Sequence, residues 1–417
     1  MPKTVHVIGA GLAGLASAVH LQRRGFRVVL HEAAAQAGGR CRSYFDRALN
    51  ATVDSGNHLV WSGQRATLHY LRTIGAADQL VGPALPECHF ADLASQERWL
   101  LRLSSGPVPT WIFDAGQRVP GTAASDYLSL VPLLFARTGR TMAQTMRCDG
   151  VLWERFLRLF FLTALNVEPR HASAELAAAV ARDTLFAGGQ ACRPLVARNG
   201  LGSAFVDPAL RLLQHDGATI RLGAEVRELA FDGSGARLDA LVFDGERVAL
   251  EAGDAVVLAV PPRAARALLP GLVAPDAFGA TLTAQFAVER PAGLAPVTAL
   301  VGGVADWLFA FDGRLSVSVR DAGHLLDTPH DTLAETLWRD AARAAGLPAQ
   351  RLPAWQLSAE REAGFAAVPE QEMKRSGTRT RWPNLVLAGD WIATGRPATI
   401  EGAIRSGQQA ADALHTQ

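Results

Sequence analysis

The chain is 417 residues long, enough for two or three domains around a large core, and its 41 basic residues stand against 40 acidic ones. That balance excludes a nucleic-acid partner, or a purely electrostatic hold on anionic lipid, as an organising theme. Apolar residues make up 49% of the chain and mean hydropathy is +0.10, yet no uninterrupted apolar run reaches the length of a membrane span, so the surplus is left for a big core, a lipophilic cavity or a membrane-facing patch.

Residues 4–14 read Thr-Val-His-Val-Ile-Gly-Ala-Gly-Leu-Ala-Gly, a β-branched run that breaks at Gly9 into a glycine-spaced turn and then a helical pattern. In such a turn Gly9 permits the sharp bend, Gly11 leaves room for a pyrophosphate beside the backbone, and Gly14 lets the helix close on the strand. The phosphates of a dinucleotide then lie on Gly9, Ala10, Gly11, Leu12, Ala13 and Gly14, at the positive end of the helix. That helix is predicted over 12–24 with Gly25 as its C′ residue, and the next strand over 27–31 ends at Glu32, whose carboxylate suits the two hydroxyls of an adenosine ribose.

After Glu32 come five residues and then Gly38-Gly39-Arg40-Cys41-Arg42-Ser43. Glycines allow close backbone approach and a guanidinium suits a phosphate. The extended pattern resembles the fingerprint of the flavoprotein amine oxidase and phytoene desaturase superfamily, which implies that the dinucleotide is FAD, with Gly38, Gly39 and Arg40 along its pyrophosphate. The implied fold class is α/β: a Rossmann-like FAD-binding domain with a β-meander, drawn from residues 1–55, 198–262 and 377–417, plus a discontinuous α+β substrate domain from 56–197 and 263–376.

Further along, 54–63 form a glycine-punctuated turn after a strand, and a helix follows over 66–74. Two readings of Asn57 and His58 stand open. The resemblance takes this loop past the flavin ring, where His58 is a candidate proton donor; alternatively both side chains bond the backbone of a tight loop. Residues 82–120 are irregular and strand-like. Residues 125–137 are a short apolar segment kinked at Pro132, either a buried helix or a patch that dips into a bilayer. Residues 153–166 are an amphipathic helix whose Trp153, Phe156, Phe160 and Phe161 form either core or cavity wall.

A turn at 198–202 leads into a helix over 204–214, where the resemblance has the chain re-enter the nucleotide domain. Strand signals follow at 219–222, 225–231, 237–243, 247–250 and 255–260, read together as a meander laid on the main sheet. By resemblance, the backbone of Val226 holds the adenine. Strands over 282–288 and 315–319 and a helix over 331–345 suit a second sheet with a covering helix. His324 and His330 flank a turn and read as surface residues.

The final stretch carries the second signature: an apolar strand over 384–388 ending in Gly389-Asp390, then Ala398-Thr399-Ile400-Glu401-Gly402-Ala403 opening the last helix over 403–414. The resemblance places Gly389 and Asp390 near the ribityl chain and aims the helix start, Thr399, Ile400 and Ala403, at the flavin, where partial positive charge stabilises the reduced ring. Loops 56–63, 70–76 and above all 388–408 resemble the squalene-associated flavoproteins of hopanoid synthesis, the hydroxysqualene dehydroxylases, while Ser55, Glu362 and Gly364 depart from that pattern. The resemblance implies an apolar isoprenoid substrate that loses its hydroxyl as an acid, with His58 the candidate, protonates it and hydride replaces it.

No second GxGxxG unit is present, so NADPH is expected only as an external reductant visiting the flavin. Two alternatives remain: an oxidase or desaturase of an isoprenoid or amine, since flavin runs both ways, and a lipid-escort protein on the same fold. Cys41, Cys88, Cys148 and Cys192 are scattered, without CxxC or His at ligand spacing, so neither metal nor disulfide is expected. The chain enters its first strand with no cleavage site behind it, which predicts a cytoplasmic protein able to lie against the inner membrane.

Overall fold

The computed structural model describes residues 3–415. Its organising layer is a five-stranded parallel sheet in the order Thr219–Leu222, Arg27–Glu32, Thr4–Ile8, Ala255–Leu258, Leu385–Leu387. Val5, Val7, Val28, Leu30, Val257 and Val386 are buried, as expected where helices cover both faces of a parallel sheet. The first helix, Leu12–Gln22, and the last, Ile400–His415, pack on each other against this sheet. A Cβ at Gly407 would stand 2.2 Å from the Ala13 carbonyl oxygen, and one at Gly14 only 1.8 Å from that of Gly9, so both approaches need glycine.

The five strand signals after residue 219 divide differently from the expected meander. Thr219–Leu222 and Ala255–Leu258 join the parallel sheet, and Glu228–Phe231, Leu238–Phe243 and Glu246–Ala249 alone form the antiparallel meander. The helix Asp207–His215 explains the first departure: it is a crossover that delivers the next strand parallel to Arg27–Glu32, which a hairpin cannot do.

The second layer is a seven-stranded sheet ordered Trp355–Phe365, Phe278–Ala287, Arg314–Arg320, Trp307–Phe311, Val297–Val301, Glu87–Asp92, Arg98–Arg102. The irregular 82–120 stretch thus supplies the last two strands at one edge. Successive side chains alternate between faces. Leu282, Ala284, Phe286, Leu315, Val317 and Val319 pack under the helix His330–Ala345. The opposite face carries Thr283, Gln285, Ser316, Ser318 and Arg320, all buried, and continues across the sheet into Trp307, Phe309 and Phe90.

Residues 153–166 begin as a π-turn, Trp153–Leu157, before the α-helix Arg158–Leu165. Residues 124–135 form a 3₁₀-helix around Pro132. Its period of three places Tyr127, Leu130 and Leu133 inward and Leu128, Val131 and Leu134 outward, so the segment is both a buried helix and an exposed patch. Among the described residues no helix is long and apolar enough to cross a membrane.

Candidate active site

The glycine turn and the 38–40 motif meet to form a cradle. Gly9 turns at φ +101°, where a Cβ would stand 2.6 Å from the Ala259 carbonyl oxygen. Gly38, at φ +112°, donates its N–H to the Ala10 carbonyl at 2.8 Å, tying the two loops together. A Cβ on Gly11 would meet nothing within 4 Å, and one on Gly39 would meet only Gly11 Cα at 3.5 Å, so two bare backbones lie side by side over open space. The first-turn N–H groups of Leu12, Ala13 and Gly14 have no intrahelical acceptor and face the same turn. The Ala10 N–H differs from its neighbours: it is donated to Glu32 Oε2 at 2.7 Å, so Ala10 serves the cradle by fixing the carboxylate rather than by binding phosphate.

Glu32 Oε1 accepts the Ala34 N–H at 2.9 Å, and the carboxylate keeps lone pairs for a ribose. At Val226 the side chain is buried, and the backbone N–H and C=O make no hydrogen bond among the described residues, leaving one donor and one acceptor for an adenine edge. An open glycine floor, helix N–H groups, a carboxylate and a free peptide edge in this order fit FAD.

Ala363 and Gly364, near the end of strand Trp355–Phe365, join the two ends of the chain. Arg40 donates Nη1 to the Ala363 carbonyl at 2.5 Å and pairs through Nη2 with Asp390 Oδ2 at 2.7 Å. Asp390 is buried, and its charge is the chief reason the Arg40 pKa is raised. A Cβ on Gly364 would stand 2.5 Å from that of Ala398, so the segment leading into the last helix needs glycine there to approach this strand. That helix starts at Ile400, three residues earlier than expected, because Thr399 Oγ1 accepts the Gly402 N–H at 3.1 Å as a cap. Ile400 is buried and Ala403 half-buried in the same turn.

The Gly389–Asp390 loop is clamped by a residue the sequence did not single out. The guanidinium of Arg375, fully enclosed, donates to the carbonyls of Asp390 at 3.3 Å, Trp391 at 3.2 Å and Ile392, and pairs with Glu372 at 2.7 Å. Gly389 sits at φ +147°, where a Cβ would strike Trp391 Nε1 at 2.5 Å. A lone arginine in a loop carries no motif, so only the folded chain identifies it.

Asn57 and His58 do not bond their own loop. Asn57 Nδ2 donates to Ser316 Oγ at 2.8 Å, across to the buried polar face of the second sheet, and His58 lies beside the Arg40 backbone. Burial, then the charges of Arg320 and Arg40, push the His58 pKa down to about 4. That shift favours the neutral imidazole in this environment, and the side chain of His58, the candidate proton donor, lies between the cradle and the second sheet.

Three residues beyond His58, Trp61 helps to wall a small cavity, about 20 Å³, together with Phe90, Leu101, Phe156, Phe160 and Trp307. Phe156 and Phe160 of the aromatic stripe are wall, while Trp153 and Phe161 are core. Trp61 packs edge-on to Trp307 with ring centroids 6.4 Å apart, and Trp307 Nε1 donates to Thr163 Oγ1 at 2.8 Å, so its polar atom is satisfied outside the cavity. Cys88 and Cys192 complete the wall, and burial raises both thiol pKa values to about 12, so they line it as small apolar groups.

The profile of the family described as "Flavin containing amine oxidoreductase" matches residues 12–415. The chain is 50% identical over 413 residues, 99% of its length and 98% of the relative's, to the hydroxysqualene dehydroxylase of Rhodopseudomonas palustris. It is 48% identical over 412 residues, with the same coverage, to the protein of that name from Sinorhizobium fredii. Among solved structures, the cyclohexylamine oxidase of Brevibacterium oxydans superposes with a TM-score of 0.73 over 100% of this chain and 99% of its own, at 16% identity, a likeness of fold.

Proposed function

Because this chain belongs to the flavin-containing amine oxidoreductase family, we propose that it removes the hydroxyl of hydroxysqualene and puts hydride in its place, giving squalene. It is an FAD-dependent oxidoreductase. The observation that carries the substrate assignment is the 50% identity, over 99% of this chain, to a hydroxysqualene dehydroxylase, and the small cavity agrees with it in having a wall that is aromatic and aliphatic throughout. A hydrocarbon chain gains about 25 cal/mol per Å² of apolar surface taken from water there, whereas an amine would be left without a partner.

In the overall change the C–O bond breaks, the oxygen takes a proton and leaves as water, and the carbon gains hydride. Reduced FAD supplies that hydride when bound, with NADPH the external reductant. Gly11, Gly39 and the first turn of helix Leu12–Gln22 hold the pyrophosphate, Glu32 the ribose, and Val226 the adenine. The Arg40–Asp390 pair and the start of helix Ile400–His415 fix the flavin end. Trp61, Phe160 and Trp307 exclude water from the electron-poor allylic carbon and offer π faces to it, a cation–π attraction of roughly 0.5 to 2 kcal/mol.

The substrate partitions into lipid, and the outward row Leu128, Val131 and Leu134, with Phe135 75% exposed, fits a peripheral site on the cytoplasmic face of the inner membrane. The deciding experiment incubates the purified holoenzyme with hydroxysqualene and NADPH and weighs the product. A hydrocarbon lighter by one oxygen and carrying one added hydride supports the assignment, and unchanged alcohol or a desaturated product refutes it.

A further inference from the structure

Arg320 is a buried cation that the fold leaves short of partners. It is 9% exposed, at the end of strand Arg314–Arg320 on the polar face of the second sheet. A guanidinium has five N–H donors, and burying one without a counter-ion is costly unless something accepts them. Among the described residues no carboxylate lies within ion-pair distance, and the one acceptor is Ser318 Oγ, 3.2 Å from Nη1. The nearby acid, Asp306, spends Oδ2 on the Arg320 peptide N–H at 2.5 Å. None of the remaining guanidinium nitrogens is both sealed from space and unpaired, so they face an opening.

The sheet register identifies that opening. Ser318 stands directly opposite Trp307, so their side chains share a face, and Trp307 is part of the cavity wall. A guanidinium resting on Ser318 lies beside Trp307, where the apolar wall gives way to Ser316, Ser318 and Gln285. The charge of Arg320 also contributes to lowering the His58 pKa, so the two side chains are neighbours. Arg320 thus rests on the strand residue that stands opposite Trp307, next to the cavity wall rather than within it.

The geometry points to Arg320 as the group that binds the substrate's oxygen: its free N–H donors hydrogen-bond the hydroxyl of the alcohol, fixing the oxygen-bearing carbon at the polar end of an otherwise apolar cavity. This rests on the reading of the protein as a dehydroxylase. Arg320 supplies hydrogen bonds and keeps its protons, since guanidinium does not deprotonate in proteins. Its role is to tell an alcohol from a hydrocarbon: the product lacks the oxygen, loses the contact and is released.

The test uses oxidised holoenzyme without reductant, so that no turnover occurs, and follows the flavin absorbance change on adding hydroxysqualene or squalene in detergent micelles. Wild type is expected to bind the alcohol at least about tenfold more tightly than the hydrocarbon. Arg320→Met is expected to abolish that preference while squalene affinity and flavin content stay within about twofold, and Arg320→Gln, which keeps a neutral donor, to restore part of it. Retention of the preference in Arg320→Met, or equal loss of affinity for both ligands, overturns the inference. Should Arg320→Met not hold flavin, Ser318→Ala holoenzyme decides, with an unchanged preference again overturning it. If wild type turns over hydroxysqualene and Arg320→Met does so equally well, only the role of Arg320 falls; if wild type does not turn it over, the dehydroxylase reading falls first.

Discussion

Arg40 and Asp390 come from opposite ends of the chain and meet at 2.7 Å, with Arg40 also bound to the Ala363 carbonyl. One contact thus ties together the 38–40 loop, the end of the parallel sheet and the edge of the second sheet. Because Asp390 is buried, removing its partner leaves a carboxylate without compensation. Arg40 is partly exposed, so the cost is discounted to about 1–3 kcal/mol. Arg40→Met is expected to lower Tm and yield protein with a reduced flavin-to-protein absorbance ratio. Adding Asp390→Leu restores Tm in part but not the flavin, and a double variant as yellow as wild type would show that the pair does not hold the cofactor.

The glycines of the cradle separate fold from cofactor. Gly11→Ala meets no atom within 4 Å, so the apoprotein keeps its stability within about 0.5–1 kcal/mol, while the methyl group occupies the pyrophosphate floor and flavin content falls. Gly14→Ala drives its Cβ into the Gly9 carbonyl oxygen and costs the fold itself. Thermal melts of apoprotein beside flavin absorbance distinguish the two variants, and a Gly11→Ala holoenzyme with full flavin would remove that residue from the floor.

Two buried histidines make stability depend on pH. His6 Nδ1 and His31 Nε2 are 3.1 Å apart inside the parallel sheet, and burial, then the neighbouring histidine and Arg221, push the His31 pKa down to about 3. Burial lowers the His6 pKa as well. Unfolded histidines bind protons near pH 6.5 and the folded ones do not. The stability present above pH 6.5 is therefore lost as pH falls toward the folded values, by roughly 3 kcal/mol or more for His31. Melting curves from pH 7.5 to 4.5 are expected to shift down steadily, and His31→Gln to flatten that slope; a slope identical to wild type would place the acid sensitivity elsewhere.

Glu401 lies inside the last signature, yet its work is remote from the flavin. Buried at 2% exposure, its carboxylate accepts the N–H groups of Ala66 at 3.2 Å and Thr67 at 2.9 Å and the Thr67 hydroxyl at 2.8 Å, capping the helix Arg65–Thr73. It also pairs with Arg405 at 3.1 Å. Glu401→Gln keeps the shape but weakens charge-assisted bonds and is expected to cost about 1–2 kcal/mol by denaturant titration, with flavin content unchanged. Loss of flavin without loss of stability would contradict the capping role.

What could be read in advance follows the range of the interactions. The Gly9–Gly14 turn, Glu32 and the 38–40 motif act on their own neighbourhood, so residue type and spacing disclose them. The pairing of Arg40 with Asp390 and the clamp by Arg375 are long-range and have no local pattern. Strand 314–320 shows the sharper limit: Leu-Ser-Val-Ser-Val-Arg alternates as a half-exposed strand would, yet its polar face is covered by the loop carrying Asn57. Alternation reveals that a strand has two faces but not which one meets water. A lipophilic cavity and the part of Phe156 and Phe160 in its wall are open readings of the sequence, but Trp61 and Trp307 join that wall from separate segments, which no local pattern discloses.

The 3₁₀ segment yields the last prediction. Inward-facing Tyr127 is anchored by its hydroxyl, which accepts the Val119 N–H at 3.0 Å, and by edge-on packing against Trp111. The outward row of Leu128, Val131 and Leu134, with Phe135 beyond it, has no such role in the fold, and the exposed Arg137 and Arg140 follow directly. Apolar side chains at the acyl boundary with arginines at headgroup level are the arrangement of an interfacial anchor. The triple change Leu128→Ser, Leu134→Ser, Phe135→Ser removes apolar area from the surface without touching the core, so Tm should hold. Sedimentation with anionic vesicles is expected to fall at least about tenfold, and turnover of vesicle-borne substrate to fall with it, while turnover of detergent-dispersed substrate persists. Undiminished sedimentation, or a wild type that does not sediment with vesicles, would refute a membrane contact through this segment.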